Sequence, residues 1–211
     1  MNNHPQNGFR CVIYDCDGVL FDSNENNRVF YDRVCLAMGR APLQNHEFAY
    51  VHMHTVQESV HFLFQKNAEL IEKARAFILT LDPNDFIPLM KMEPNLLQAL
   101  DLLQKSGIRR AIDTNRTNSM KFIMDTFGLW PYFEMVVTAL DVKNPKPHAE
   151  SVMKILRAFR LKREEALFVG DSEIDRQTAD AARIRFVAYK NPQIANGWLI
   201  QDHLELMNLL S

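Results

Sequence analysis

The chain of 211 residues is 47% hydrophobic and 24% charged, a globular composition that excludes global disorder and a coiled coil and suffices for one large core with a smaller satellite. A formal net charge of −2 offers no broad basic field, so neither nucleic acid nor a membrane surface is an expected partner, and any anion site must be local. Cys11, Cys16 and Cys35 lack zinc-ligand spacing and cannot all pair with one another, which predicts buried small-hydrophobe roles in a reducing cytoplasm.

In chain order, the opening MNNHPQNG is polar and carries both Pro and Gly, the pattern of a frayed terminus and not of a signal peptide. No apolar run is long enough to span a bilayer. Phe9–Tyr14 is the first of five short segments, rich in branched or aromatic residues, that read as buried strands. From about residue 24 to residue 90 no strand pattern occurs. Val29, Arg33 and Leu36, with Phe30, Val34 and Ala37, predict a helix ended near Gly39 and Pro42, and a second lies near Leu43–Val51. Thr55-Val-Gln-Glu58 is a capping box that opens a third helix through Val60, Leu63 and Phe64. An apolar stripe of Leu70, Ile71, Ala74, Phe77, Ile78 and Leu81 marks a fourth, before Pro83 and Pro88 interrupt the chain. A helix over Pro94–Leu103, stopped by Ser106-Gly107, then begins an alternation with strands at Arg109–Asp113, Phe133–Thr138, Ala166–Val169 and Arg185–Tyr189. Val152, Ile155, Leu156 and Phe159 give another helix its apolar face. Strands alternating with helices imply parallel pairing through right-handed crossovers, hence an α/β doubly wound sheet with a helical insert after its first strand.

The chemistry gathers where strands end, the edge at which open α/β sheets bind ligands. Directly after CVIY come Asp15-Cys-Asp17-Gly-Val-Leu-Phe-Asp22-Ser. Asp15 and Asp17 lie two residues apart and can face one pocket, where their mutual repulsion calls for a hard divalent cation or a shared proton. The same pair also suits an Asx-turn that merely caps the loop. After the second strand, Thr114-Asn115-Arg116 supplies a hydroxyl, an amide and a guanidinium before a helix beginning near Thr117, whose free N–H groups suit phosphate oxygens. Thr114 by itself suits a helix cap equally well. Asn144-Pro-Lys146-Pro-His148 mounts a lysine between two prolines. Gly170-Asp171-Ser-Glu-Ile-Asp175 places one carboxylate at the end of the fourth strand and another one helical turn later, a pair that also suits a helix N-terminus.

In this order the four segments resemble the four motifs of haloacid dehalogenase superfamily hydrolases, from Cys11 to about Tyr189, with a helical cap between the first two motifs as in the phosphoglycolate phosphatase-like branch. The resemblance implies a discontinuous Rossmann-like core over residues 9–22 and 91–211 with strand order 5-4-1-2-3, a helical cap domain over residues 23–90, and one bound Mg²⁺. It implies that Asp15 is the nucleophile and Asp17 the general acid and base, whose backbone carbonyl also reaches the metal. Thr114, Asn115 and Lys146 then hold the transferring phosphoryl, Asp171 is the second metal carboxylate, and Asp175 supports the site through a metal-bound water or Lys146. The reaction it implies is hydrolysis of a small phosphorylated metabolite through an aspartyl-phosphate. A phosphomutase is the alternative, because it uses the same four motifs and differs only in the acceptor. A receiver-like phosphoacceptor domain fits less well, having no helical insert and no need of an Asp two residues after the acceptor.

The pattern departs from the family in two places. Gly18-Val19 stands where many members have Gly-Thr, and Ala182-Arg183-Ile184 stands where glycine is usual, which predicts a left-handed Arg183 at the end of a helix. Lys143 lies close to Lys146, whose Lys-Pro setting favours it for the phosphate role, while Asp22 and Asp113 read as structural. Arg40, His52 and His54 from the cap, with Arg116 from the core, are the candidates for contacting the leaving portion of the substrate. Linkers near residues 22–24 and 83–90 are expected to let the cap close like a lid.

Overall fold

A computed structural model of the chain describes residues 8–65 and 67–210, so the segment expected to be frayed lies, up to residue 7, outside the described residues. Strands β1 (Cys11–Tyr14) and β2 (Phe21–Asp22) lead into helices α1 (Asn24–Ala37), α2 (Asn45–Met53), α3 (Val56–Leu63) and α4 (Ala68–Ile78). After β3 (Lys91–Met92) come α5 (Leu96–Lys105), β4 (Arg109–Asp113), α6 (Ser119–Thr126), β5 (Met135–Val137) and α7 (Glu150–Phe159). The chain continues with β6 (Ala166–Gly170), α8 (Glu173–Ala182), β7 (Arg185–Tyr189), β8 (Leu199–Ile200) and α9 (Leu206–Leu210).

The main sheet runs β5-β4-β1-β6-β7-β8 with every neighbouring pair parallel. Its five expected strands stand in the 5-4-1-2-3 order, and β8 adds a sixth at one edge. β1 is buried along its whole length because helices cover both faces of the sheet. Val12 and Tyr14 join a cluster with Leu100, Leu103, Ile123 and Leu206, whereas Cys11 and Ile13 join one with Val152, Ile155, Phe159 and Ala179. The two-residue alternation of the strand therefore sends α5, α6 and α9 to one face and α7 and α8 to the other. All three cysteines are buried and unbridged.

Helices α1 to α4 pack around a cluster of their own that includes Tyr31, Val34, Val60, Leu63, Ile71 and Ala74. The Thr55–Glu58 capping box opens α3, with the Thr55 Oγ1 accepting from the Glu58 N–H and the Glu58 carboxylate accepting from the Thr55 N–H at 3.0 Å. The connections to the sheet are more ordered than loose linkers. β2 and β3 pair antiparallel, Phe21 with Met92 and Asp22 with Lys91. Residues 83–89 form two 3₁₀ turns that bury Phe86 and Ile87. Burial of Phe21 at one connection and of Phe86 and Ile87 at the other thus fixes both, including the one that Pro83 and Pro88 mark as a break.

Other departures are local. α5 begins at Leu96 and not at Pro94, because Asn95 adopts a left-handed φ of 58° just ahead of it. β5 is shorter than its apolar run: Phe133 is buried but precedes the strand. Arg183 does end α8 in the left-handed region, φ 56°, at a cost of roughly 1–2 kcal/mol that glycine would not incur. Among the described residues no helix is long and apolar enough to cross a membrane.

Candidate active site

Parallel order brings the carboxyl ends of β1, β4 and β6 side by side, with β1 between the other two, so the loops that follow them leave in opposite directions and open a crevice. The Asp15 N–H continues the ladder to the Val169 carbonyl at 3.0 Å, and the Thr114 N–H reaches the Val137 carbonyl at 3.0 Å. Both side chains are thereby fixed at the sheet edge by backbone that is still paired. The chain then turns tightly, the Gly18 N–H donating to the Phe21 carbonyl at 2.8 Å with Gly18 at φ 73°.

Lys146 lies buried beneath this edge. Its Nζ donates to Asp15 Oδ1 at 2.7 Å and to Asp175 Oδ1 at 2.6 Å. Asp175 Oδ2 accepts from the Ser172 hydroxyl at 2.6 Å and the Ser172 N–H at 3.1 Å, the reciprocal cap of α8. Carboxylate oxygens of Asp15, Asp171 and Asp175 lie within 4.8 Å of one another. Burial and the neighbouring Asp175 push the Asp15 carboxyl up to about 8 against the pull of Lys146. Burial, Asp175 and Asp15 likewise push Asp171 well above the usual carboxylate range. Burial alone would pull Lys146 down, but Asp15, Asp175 and Asp113 together hold its ammonium well above the ordinary lysine value. Three carboxylates thus share one ammonium, and an all-oxygen donor set short of positive charge fits a hard divalent ion such as Mg²⁺. Asp15 therefore does not have the ordinary carboxylate pKa that its sequence context alone suggests, since burial and Asp175 raise it.

Glycine is required here for space. A Cβ on Gly18 would stand 2.0 Å from Asp171 Oδ2, and one on Gly170 would stand 2.3 Å from the Asp175 Cβ. Gly18→Ala is accordingly expected to displace Asp171 and weaken Mg²⁺ binding at least tenfold, measured by calorimetric titration; unchanged affinity would separate Asp171 from the ion.

Asp17 stands apart from that cluster in its pairing. Arg116 grips it bidentately, Nε to Oδ2 at 2.7 Å and Nη2 to Oδ1 at 2.6 Å, and the Ser23 hydroxyl donates to Oδ1 as well. Burial pushes the Asp17 carboxyl up, but the guanidinium more than offsets this and holds it down at about 2. Arg116 Nη2 also donates to Asn26 Oδ1 at 3.3 Å and Asn27 Oδ1 at 3.2 Å, tying the first turn of α1 to the loop after β4. Ser23, Asn26 and Asn27 were not among the expected site residues. The run of amides in Asn24-Glu-Asn26-Asn27, polar where a helix meets the core, is the signal that marks them.

The other expected residues divide. Thr114 is buried at the sheet edge, and its Oγ1 accepts from the Arg116 N–H at 3.1 Å. Asn115 Nδ2 donates to the Lys146 carbonyl at 3.3 Å and the Met53 carbonyl at 3.5 Å, bridging the helical insert and the core. His52 and His54 line the cavity above the carboxylates. His52 Nδ1 lies 2.9 Å from Asn27 Nδ2, and the His54 ring stacks on Tyr50 at 3.8 Å. Arg40 is a correction: it is absent from the residues lining this cavity, because its guanidinium pairs with Glu47 at 2.6 Å and donates to the Leu63 carbonyl at 3.0 Å inside the helical insert. Lys143 is exposed on the surface, Asp22 accepts from the Asn24 N–H at 3.1 Å, and Asp113 accepts from the Ser151 hydroxyl at 2.7 Å beneath the site.

Comparison with known proteins agrees with this architecture. The haloacid dehalogenase-like hydrolase family model matches residues 12–189. A phosphoglycolate phosphatase of Rhodobacter capsulatus is 30% identical over 184 residues, covering 84% of this chain and 83% of the relative. A pyrophosphatase of Bacillus pumilus is 27% identical over 180 residues, covering 81% of this chain and 78% of that one. Among solved structures, a subfamily IA hydrolase of the same superfamily from Geobacter sulfurreducens superposes with a TM-score of 0.79 at 39% identity, covering 98% of this chain and 99% of that one. The parallel sheet, the crevice at its carboxyl edge and these matches together place the chain in the haloacid dehalogenase-like hydrolase family.

Proposed function

We propose that this enzyme is a magnesium-dependent phosphatase that cleaves a phosphorylated small molecule through an aspartyl-phosphate on Asp15. The observation that carries the reading is the buried cluster in which Lys146 bonds Asp15 at 2.7 Å beside Asp171 and Asp175. The relatives named for phosphoglycolate and pyrophosphate hydrolysis support a phosphoryl substrate. Asp15 and Asp171, with the backbone carbonyl of Asp17, are the groups to hold the ion. When bound, Mg²⁺ supplies the positive charge that the carboxylates lack and neutralises phosphoryl oxygens.

The chain's own groups then divide the work. An Asp15 oxygen attacks phosphorus, a P–O–Asp bond forms, and the bond to the leaving oxygen breaks. Lys146, Thr114 and loop N–H groups stabilise the charge on the equatorial oxygens. Asp17 gives its proton to the leaving alkoxide, then takes one from the water that hydrolyses the acyl phosphate. Arg116 imposes a condition on that step. A carboxyl gripped on both oxygens by a guanidinium is ionised, so Asp17 can carry a proton only after Arg116 has let go of it. Substrate entry, offering new acceptors to the guanidinium, is the event that releases it. The buried, unbridged cysteines fit work in a reducing cytoplasm.

The test is phosphate release by purified protein from a panel of phosphate monoesters, with Mg²⁺ and with chelator. Release is expected only with the divalent ion, and hydrolysis at an undiminished rate in chelator would remove this mechanism.

A further inference from the structure

Asn27 stands between two opposite charges. Its Oδ1 accepts from Arg116 Nη2 at 3.2 Å, and its Nδ2 faces Asp17 Oδ1 at 3.4 Å. Turned over, the amide would set its NH₂ against the guanidinium and its oxygen against the carboxylate, so it can stand only one way. The same Nδ2 lies 2.9 Å from His52 Nδ1. An amide NH₂ only donates, so Nδ1 is the acceptor and the imidazole proton sits on Nε2. A second proton on Nδ1 would oppose the amide's own N–H, and burial lowers the ring's affinity for it against the pull of Asp17. His52 is therefore a neutral imidazole of fixed tautomer with one N–H to give. His54 has the opposite form when neutral: its Nδ1 donates to the Tyr50 carbonyl at 2.8 Å, which leaves Nε2 without a proton.

The His52 N–H has no taker in the protein. Among the described residues Nε2 makes no hydrogen bond, and it is not one of the buried side-chain atoms that lack a partner, so solvent reaches it. The ring is half-buried, stacked on Phe48 at 5.3 Å, and lines the cavity together with Asp15, Asp17 and Lys146. Lys146 and Thr114 take the phosphoryl at the sheet edge and Asp17 meets the leaving oxygen. His52 Nδ1 and Asp17 Oδ1 share one amide nitrogen, so the ring stands next to the group that touches the leaving oxygen.

From this we infer that His52 is a specificity-determining residue: held in its Nε2–H form by Asn27, it donates one hydrogen bond to an oxygen on the leaving portion of the substrate. The contact rests on the phosphatase reading for its orientation, phosphoryl at the sheet edge and leaving portion outward. A hydroxyl or carboxylate oxygen there satisfies the donor. A methyl in the same place leaves it desolvated and unpaired, which is how a polar contact discriminates between substrates of one length.

The tautomer is read directly by two-bond ¹H–¹⁵N NMR correlation on the substrate-free protein, with His52→Phe to assign the signal. His52 is expected as Nε2–H, and an Nδ1–H form would overturn the inference. The contact is tested with propyl phosphate, 2-hydroxyethyl phosphate and phosphoglycolate, which place a methyl, a hydroxyl and a carboxylate oxygen at the same number of bonds from the ester oxygen. His52→Phe keeps a ring on Phe48. With Mg²⁺ it is expected to lower the kcat/KM ratio of 2-hydroxyethyl to propyl phosphate about three- to tenfold, and that of phosphoglycolate to propyl phosphate at least about tenfold. Leaving-group basicity cancels when the same ratio is compared between wild type and variant. His52→Gln, which carries an amide N–H in place of Nε2–H, is expected to recover part of each ratio; ratios that stay unchanged in His52→Phe, or that fall as far in His52→Gln, would overturn the contact. Phosphoglycolate titrated into Mg²⁺-loaded Asp15→Asn, with the His52 Nε2–H signal followed, keeps the two readings apart. A shifted signal with no hydrolysis by the wild type leaves the contact standing and removes the phosphatase. Hydrolysis with unchanged ratios and an unshifted signal removes the contact and leaves the phosphatase.

Discussion

Asp15→Asn is expected to lower phosphate release by about a thousandfold or more while leaving the fold intact. The amide is nearly isosteric with the carboxylate, but its oxygen is a poor nucleophile and cannot form the acyl phosphate. The substitution should not destabilise the protein, because it removes one negative charge from a cluster in which Asp15, Asp171 and Asp175 share a single ammonium. Lys146 keeps its bond to Asp175 at 2.6 Å. Phosphate release and the melting temperature, measured on the same preparation, check both halves. A variant that melts as the wild type but retains more than a tenth of the activity would show that Asp15 is not the nucleophile.

Lys146→Met should have the largest combined effect on stability and activity. Removing one member of a buried ionic group typically costs about 3–5 kcal/mol because its partners stay buried and uncompensated. Here the partners are Asp15 and Asp175, with Asp113 close enough to raise the lysine's affinity for its proton. The cost is expected in full when chelator is present and in part when Mg²⁺ is present, since a divalent ion beside Asp15 and Asp171 replaces some of the lost charge. Thermal melts of the variant with and without Mg²⁺ should therefore differ by more than those of the wild type. Phosphate release should fall at least about a hundredfold even with Mg²⁺, the phosphoryl oxygens having lost a fixed cation. Equal melting under the two conditions would mean that the ion and Lys146 do not answer the same carboxylates.

β1 and β6 were readable from the chain because each is a continuous apolar run bounded by polar turns, the composition a parallel strand covered on both faces needs, whereas β4, Arg109-Arg-Ala-Ile-Asp113, shows it only at Ala111 and Ile112. Asp15 and Asp171 were readable for a related reason: each stands directly after such a strand, so the strand end locates it, while Thr114 follows Asp113 at the end of β4. β8 and the β2–β3 pair were not, since two residues carry no period. Arg40 shows the opposite failure. A cation at the end of a helix in the insert looks available, and only the packing of α2 and α3 against α1 brings Glu47 and the Leu63 carbonyl to neutralise it.

By itself, then, the sequence determined the doubly wound sheet, the helical insert and the carboxylates at the strand ends, because periodicity, caps and strand-end placement are local and act over a few residues. Only the tertiary structure decided what those groups face. Arg116 meets Asp17 across a separation of 99 residues, and Lys146 meets Asp15 across 131. Leu79, Phe122 and Leu140 line one cavity although they come from separate segments. Such pairings depend on which elements the sheet order sets side by side, and burial and neighbouring charge then push the two carboxyls apart, Asp15 upward through burial and Asp175, Asp17 downward through Arg116.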